Sequence, residues 1–241
     1  KNHALISTPA KKRVFFLFFF FTGCSPSDSK PTGGEIYTSV SPSVFFIEVE
    51  LDNGGKAGGS AFFIDDKGTA VTNYHVIKGG VSATATLSNG KEYEVTKVLG
   101  KDKESDLVVI KVDIEKSKPV KIANSNTVKT GDKVYAIGYP EAFKVGIENS
   151  TFTDGIISKN SFFVDGSQYI QTNVDITHGN SGGVLLNDMG EAIGITTAQI
   201  DISGVDYMNL ALPINNLRRI DKTEYDCSLA EFTRMSKHFT V

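Results

Sequence analysis

The sequence predicts an all-β chain, a barrel or sandwich of short strands. Three observations carry this. Runs rich in Val, Ile, Phe and Thr recur along most of the chain, Gly- and Asn-rich turn signals separate them, and only one stretch has convincing helical spacing. The 241 residues allow one large all-β domain or two smaller ones in tandem. Hydrophobic residues make up 40%, an ordinary globular share that argues against wholesale disorder.

The strand signals begin at "SVFFIEVE" (43–50) and continue through "GSAFFID", "GTAVTNYHVI", "SATATL", "YEVTKVL" and "DLVVIKV". A second series runs "DKVYAIGY", "DGIISK", "SQYIQTNV", "GVLLN", "AIGITTA" and "MNLALPI". Asp52-Asn53-Gly54-Gly55, Asn89-Gly90 and Asp188-Met189-Gly190 read as turns between them. The one helix is expected just after Pro213, where Ile214, Leu217 and Ile220 recur every three residues. The residues after Asp221 show no clear pattern.

Residues 1–24 stand apart. Lys11, Lys12 and Arg13 precede an apolar run from Val14 to Phe21, followed by Thr22-Gly23-Cys24. This is the three-part plan of a bacterial export signal, and the run is too short to span a bilayer stably. Its end resembles a lipobox, with Cys24 as the lipidated residue and Phe21 where that pattern usually has an aliphatic one. An ordinary cleaved signal and a retained anchor are the alternatives. "SPSDSKPTGGE" (25–35) reads as a tethering linker.

The first 24 residues hold four basic side chains and no acidic one, so the rest of the chain carries a formal charge of −7, against −3 for the whole. An acidic domain is poorly suited to nucleic acid. There are two cysteines, Cys24 and Cys227. If Cys24 carries lipid, no disulfide framework or cysteine metal site is available. No metal or other cofactor is expected.

"THGNSGGVLLNDMGEAIGI" (177–195) sets Ser181 among glycines. A nucleophilic serine needs a base, a group to orient the base, and donors for an oxyanion. The glycines are read as letting a substrate backbone approach and letting amides converge. Gly179, Asn180 and Ser181 form the candidate oxyanion loop, with the Gly179 and Ser181 amides as donors. Of the four histidines, His3 lies in the signal segment, His238 in the tail, and His178 three residues from the serine. His75 sits where a strand gives way to a Gly-rich loop, a rigid place from which to aim a side chain. Taken alone, its plainer reading is a hydrogen-bonded core histidine. Asp106 heads an apolar strand and is the candidate orienting acid, or a plain turn residue; Asp102 and Glu104 lie in a charged turn.

Together these residues resemble the trypsin-like serine proteases, in the order His75, Asp106, Ser181, and the HtrA/DegP branch in particular. "GSAFFIDDKGTAVTNYHVI" is similar to the strand pair leading to that family's histidine, and "LSNGKEYEVTKVLGKDKESDLVVIKV" to the segment delivering its aspartate. "GDKVYAIGYP", "IQTNVDITHGNSGGVLLNDMGEAIGI" and "NLALPI" resemble the lead into the second barrel, the nucleophile segment and a cleft strand. The resemblance runs from about Ser39 to Ile220. It implies two packed antiparallel β-barrels with a short C-terminal helix: a protease domain at 36–220, its barrels at about 36–125 and 126–212, and a tail at 221–241.

It also implies a serine endopeptidase acting through an acyl-enzyme on peptides or proteins, such as misfolded envelope proteins. The expected location is the periplasm or, as a lipoprotein, the membrane surface. A latent homotrimer is a further implication, for which Tyr37, Phe45 and Phe46 offer aromatic contacts; core packing is their other use.

Two departures stand out. Thr177-His178 replaces the family's usual Asn-Pro, and the pair before Gly-Asn-Ser is then nearer to that of glutamyl endopeptidases. The residues after Ile220 are too few for the PDZ domain that HtrA proteins usually carry. The candidate substrate-binding residues are Asp175, Thr177, His178, Leu210, Ala211 and Leu212. Asp175, six residues before Ser181, has three readings: the base of a cation-selecting pocket, a solvent-facing loop residue, or a carboxylate satisfied by local amides. Leu210-Ala211-Leu212 favours an apolar pocket; a protonated His178 would favour acidic substrates. Rival readings are an inactive trypsin-like scaffold working as a binding or holdase module and an α/β-hydrolase. The latter has the order Ser, Asp, His, which this chain does not.

Overall fold

The computed structural model describes residues 29–140, 150–164, 166–177, 179–200 and 208–238. They form two closed six-stranded antiparallel barrels. The first is built from β1 (Val44–Leu51), β2 (Lys56–Phe63), β3 (Thr69–Asn73), β4 (Gly80–Leu87), β5 (Glu92–Asp102) and β6 (Leu107–Val112), ordered β1-β2-β3-β6-β5-β4. The second is built from β7 (Lys133–Gly138), β8 (Thr151–Val164), β9 (Ser167–Thr172), β10 (Val184–Asn187), β11 (Ala192–Ile200) and β12 (Met208–Pro213), ordered β10-β11-β12-β9-β8-β7. Antiparallel pairing of β4 with β1 and of β10 with β7 closes each barrel and removes its edges.

Side-chain alternation explains why many strands read as unbroken apolar runs. On β1, Phe45, Ile47 and Val49 fill the first barrel, while Val44 and Phe46 join a core between the barrels. On β6, Val108, Ile110 and Val112 point inward and Leu107 and Val109 outward into the shared core. In the second barrel, Val134 and Ala136 of β7 and Ala211 of β12 point inward. Their neighbours Tyr135, Ile137, Leu210 and Leu212 enter the shared core. A strand buried on both faces needs apolar residues at every position. Phe45 and Phe46 are thus core residues, and Tyr37 packs on Phe152 within the same chain (5.5 Å between centroids).

The helical parts differ from the sequence reading. Residues Ile214–Arg219 form a 3-10 helix, whose three-residue turn matches the spacing of Ile214 and Leu217. Two α-helices lie where a linker and an unpatterned tail were read: α1 (Gly33–Val40), which starts within 25–35, and α3 (Leu229–His238). Each has a capping box. Thr32 Oγ1 accepts from the Glu35 amide while Glu35 accepts from the Thr32 amide, and Ser228 and Glu231 repeat the exchange. The stretch before α3 also docks on the first barrel. The Val98 amide donates to Cys227 O (2.9 Å) and the Tyr225 amide to Leu99 O (3.0 Å).

Candidate active site

The two barrels meet where β2, the turn after β3 and the loop before β10 converge. The turn after β3 is a single helical turn, α2 (Tyr74–Ile77), which carries His75. Asp106 stands just before β6, beside β3. Four hydrogen bonds lock the two segments. The Asp106 carboxylate accepts from the His75 amide (2.9 Å) and pairs with His75 Nδ1 (2.6 Å). Its carbonyl accepts from the Tyr74 amide (3.0 Å) and Asn73 Nδ2 (3.1 Å). Asp106 has φ 51°, the only non-glycine with positive φ among the described residues. Asp is one of the few side chains that tolerate this region. A carboxylate only accepts, so in the neutral imidazole Nδ1 carries the proton and Nε2 keeps its lone pair. The His75 side chain is 45% exposed and that of Asp106 26%.

The first barrel's outer end is covered by α3. Phe232 meets Tyr74 edge-on (centroids 6.3 Å) and Tyr225 (5.2 Å), and Lys101 Nζ lies 4.9 Å from the Phe232 ring centre. Thr233 Oγ1 donates to Gly80 O (2.6 Å). The residue before His75 is therefore packed from behind by a helix in the segment whose sequence shows no clear pattern.

Ser181 is 5% exposed and docks on β2 through its carbonyl, which accepts from the Ser60 amide (2.7 Å). Gly59 fixes its relation to His75. A Cβ on Gly59 would lie 2.8 Å from Val76 Cγ2 and 2.9 Å from Ser181 O. The residue after the histidine and the serine thus press on the same glycine. Among the described residues, neither Ser181 Oγ nor the Ser181 N–H has a hydrogen-bond partner. The Asn180 backbone N–H, in the group read from sequence as the oxyanion loop, donates to Thr177 O (3.0 Å).

Gly182 and Gly183 have a packing role behind the loop. Gly182 has φ 84°, and a Cβ there would meet Ser60 O at 2.0 Å and Thr72 Oγ1 at 2.2 Å. On Gly183 it would meet Ile137 O at 2.6 Å. Both glycines admit the protein's own strands behind the loop. Gly179, at φ 97°, shares with Gly182 the left-handed conformation that the loop's turn requires.

The remaining candidates are less concentrated. Asp175 is exposed and Thr177 half-buried. Leu210, Ala211 and Leu212 are fully buried, their side chains in the two cores. His178, Cys24 and the export segment lie outside the described residues. Ser60 and Thr196, absent from the sequence reading, contact the nucleophile loop directly. Ser60 lies in the quoted "GSAFFID", but nothing in its spacing marks it as more than a strand residue.

The trypsin-like peptidase domain model matches residues 59–195, more than half of the chain. The DegP-like probable periplasmic serine endoprotease of Chlamydia trachomatis serovar D is 37% identical over 163 residues, covering 66% of this chain and 31% of its own length. The serine protease Do-like HtrB of Bacillus subtilis is 37% identical over 164 residues, 64% of this chain and 35% of its own. This chain therefore spans about a third of the length of these curated relatives. Among solved structures, the HtrA-type protease AlgW with tripeptide superposes with TM-score 0.69 at 29% identity, covering 78% of this chain and 62% of that one. The match spans both the His75–Asp106 segment and the Ser181 loop, and the chain belongs to the trypsin-like peptidase family.

Proposed function

We propose that the chain is a serine endopeptidase whose triad is His75, Asp106 and Ser181. The observation that carries this is the His75 Nδ1–Asp106 Oδ2 contact of 2.6 Å, which fixes the tautomer with Nε2 free to act as base. His75 takes the Ser181 proton as the hydroxyl attacks a peptide carbonyl. The Ser181 and Gly179 amides hold the oxyanion. His75 then protonates the leaving amine, an acyl-enzyme remains, and water attacks it by the reverse sequence.

Substrates are proteins or peptides, in keeping with the names of the relatives, and envelope quality control is the setting proposed. The exposed Asp175 carboxylate supports a loop residue facing solvent rather than the base of a cation-selecting pocket. An aliphatic side chain at the cleavage position is proposed on the family resemblance alone, since Leu210, Ala211 and Leu212 have their side chains in the two cores. Export, lipidation at Cys24 and assembly into a trimer remain part of the proposal on sequence grounds.

The test is a peptide library incubated with the wild type and Ser181→Ala. Cleavage after aliphatic residues, lost in the variant while its melting temperature is unchanged, is the expected result. Cleavage that persists in Ser181→Ala ends the assignment. Cleavage after Arg or Lys returns Asp175 to the pocket.

A further inference from the structure

Two buried hydroxyls hold the nucleophile loop from behind, one from each barrel. Ser60 on β2 is fully buried, and its Oγ donates to Gly179 O (2.7 Å) while accepting from the Tyr139 amide (2.8 Å). Thr196 on β11 is 1% exposed, and its Oγ1 donates to Asn180 O (2.5 Å). The carbonyls belong to consecutive peptide units. The Gly179–Asn180 unit is held at both ends, its carbonyl by Ser60 and its N–H by Thr177 O. The Asn180–Ser181 unit is held at its carbonyl alone, by Thr196 Oγ1 and the Gly183 amide (2.9 Å).

A trans peptide points its N–H opposite to its carbonyl. Pinning Asn180 O against β11 therefore turns the Ser181 N–H away from β11, where it has no acceptor among the described residues. The loop is also tied by main-chain bonds, the Gly182 amide to Thr196 O (2.8 Å), the Thr196 amide to Gly183 O (2.9 Å) and the Ser60 amide to Ser181 O (2.7 Å), but none of these acts on the Asn180–Ser181 unit. Gly179 and Gly182 sit at positive φ without a Cβ to limit them, and Asn180 Oδ1 is buried without a partner. The Asn180 side chain does not do this anchoring through its oxygen.

We infer that Ser60 and Thr196 are positioning residues for the oxyanion donor, fixing two successive peptide units so that the Ser181 amide faces the developing charge. This deepens the peptidase reading and rests on it. Neither residue touches substrate. Their effect is on the transition state, because the oxyanion forms only there. A donor removed outright costs about 100- to 1,000-fold in kcat, and a donor left in place but poorly aimed costs less, about 10- to 100-fold.

The experiment compares the wild type with Thr196→Val, Ser60→Ala and the hydroxyl-retaining Thr196→Ser. Crystal structures of each report the orientation of the Asn180–Ser181 peptide, with no dependence on turnover. Steady-state kinetics and the affinity of a peptidyl boronate, which mimics the tetrahedral state, report its consequence. The expected result is a rotated or doubled peptide in Thr196→Val, a fall in kcat of about 10- to 100-fold with KM unchanged, and a parallel loss of boronate affinity. Thr196→Ser stays within about threefold of the wild type, the hydroxyl being retained. An unmoved peptide in both Thr196→Val and Ser60→Ala overturns the inference. So does a fall in melting temperature alone, with kcat and boronate affinity intact. A wild type that neither cleaves nor binds the boronate defeats the peptidase reading instead, and the peptide orientation still decides the positioning role.

Discussion

On the first barrel the candidate site is held together mainly by side-chain contacts, whereas on the second the Ser181 side chain sits among peptide units held by main-chain and hydroxyl contacts. On the first, Asp106 grips His75 by its carboxylate and the preceding residues by its carbonyl, and α3 braces Tyr74 from the far side. On the second, the groups around Ser181 are peptide units whose directions are set by glycines and by hydroxyls behind them. Each half is vulnerable in its own way. The histidine side depends on charge and on packing below it. The serine side depends on the absence of Cβ atoms and on hydrogen bonds at its back.

Asp106→Asn tests the first half most severely. Asn tolerates the same positive φ, so the fold should survive while the His75 tautomer is lost. The expected loss in kcat is about 10,000-fold with an unchanged melting curve. A loss below about tenfold would mean that the carboxylate holds the turn rather than the base. Phe232→Ala asks whether α3 matters to this half. Removing a buried aromatic ring costs about 3–5 kcal/mol. Urea unfolding measures that, and the loss should fall on the first barrel, where Leu229 and Phe232 pack.

Gly182→Ala probes the second half. Its Cβ would strike Ser60 O and Thr72 Oγ1 in a left-handed conformation, so a destabilisation of about 3 kcal/mol is expected. Gly54→Ala, with φ 81° but open space around it, should cost about 1–2 kcal/mol, the backbone strain alone. Equal costs in urea titrations would mean that the crowding behind Gly182 contributes nothing. The smallest effect is expected from Asp175→Asn, with cleavage of an aliphatic substrate changed by less than about threefold, as for an exposed carboxylate outside the pocket.

The same contrast governs what could be read from the sequence. The pairing of His75 with Asp106 could be anticipated because both side chains stand at strand ends, and Ser181 drew notice because its glycines are conspicuous. The purpose of Gly182 and Gly183 was not legible, since it depends on which strand passes behind them. Ser60 and Thr196 look like ordinary strand residues until the register brings their hydroxyls under the loop. The strands were legible as apolar runs, but the sequence alone left open which of them close into which barrel. The helices α1 and α3 could have been found from their capping boxes, Thr32 with Glu35 and Ser228 with Glu231. Gly33 and Gly34 obscured the first, and the short amphipathic pattern of Leu229, Phe232 and Thr233 obscured the second.

The most direct test of the account is labelling by a fluorophosphonate, which reacts only with an activated serine, of residues 30–241 beside Ser181→Ala and His75→Ala. The expected result is labelling of the wild type that is lost in both variants. A folded wild type that takes no label, or a His75→Ala variant that labels as well as the wild type, would contradict it.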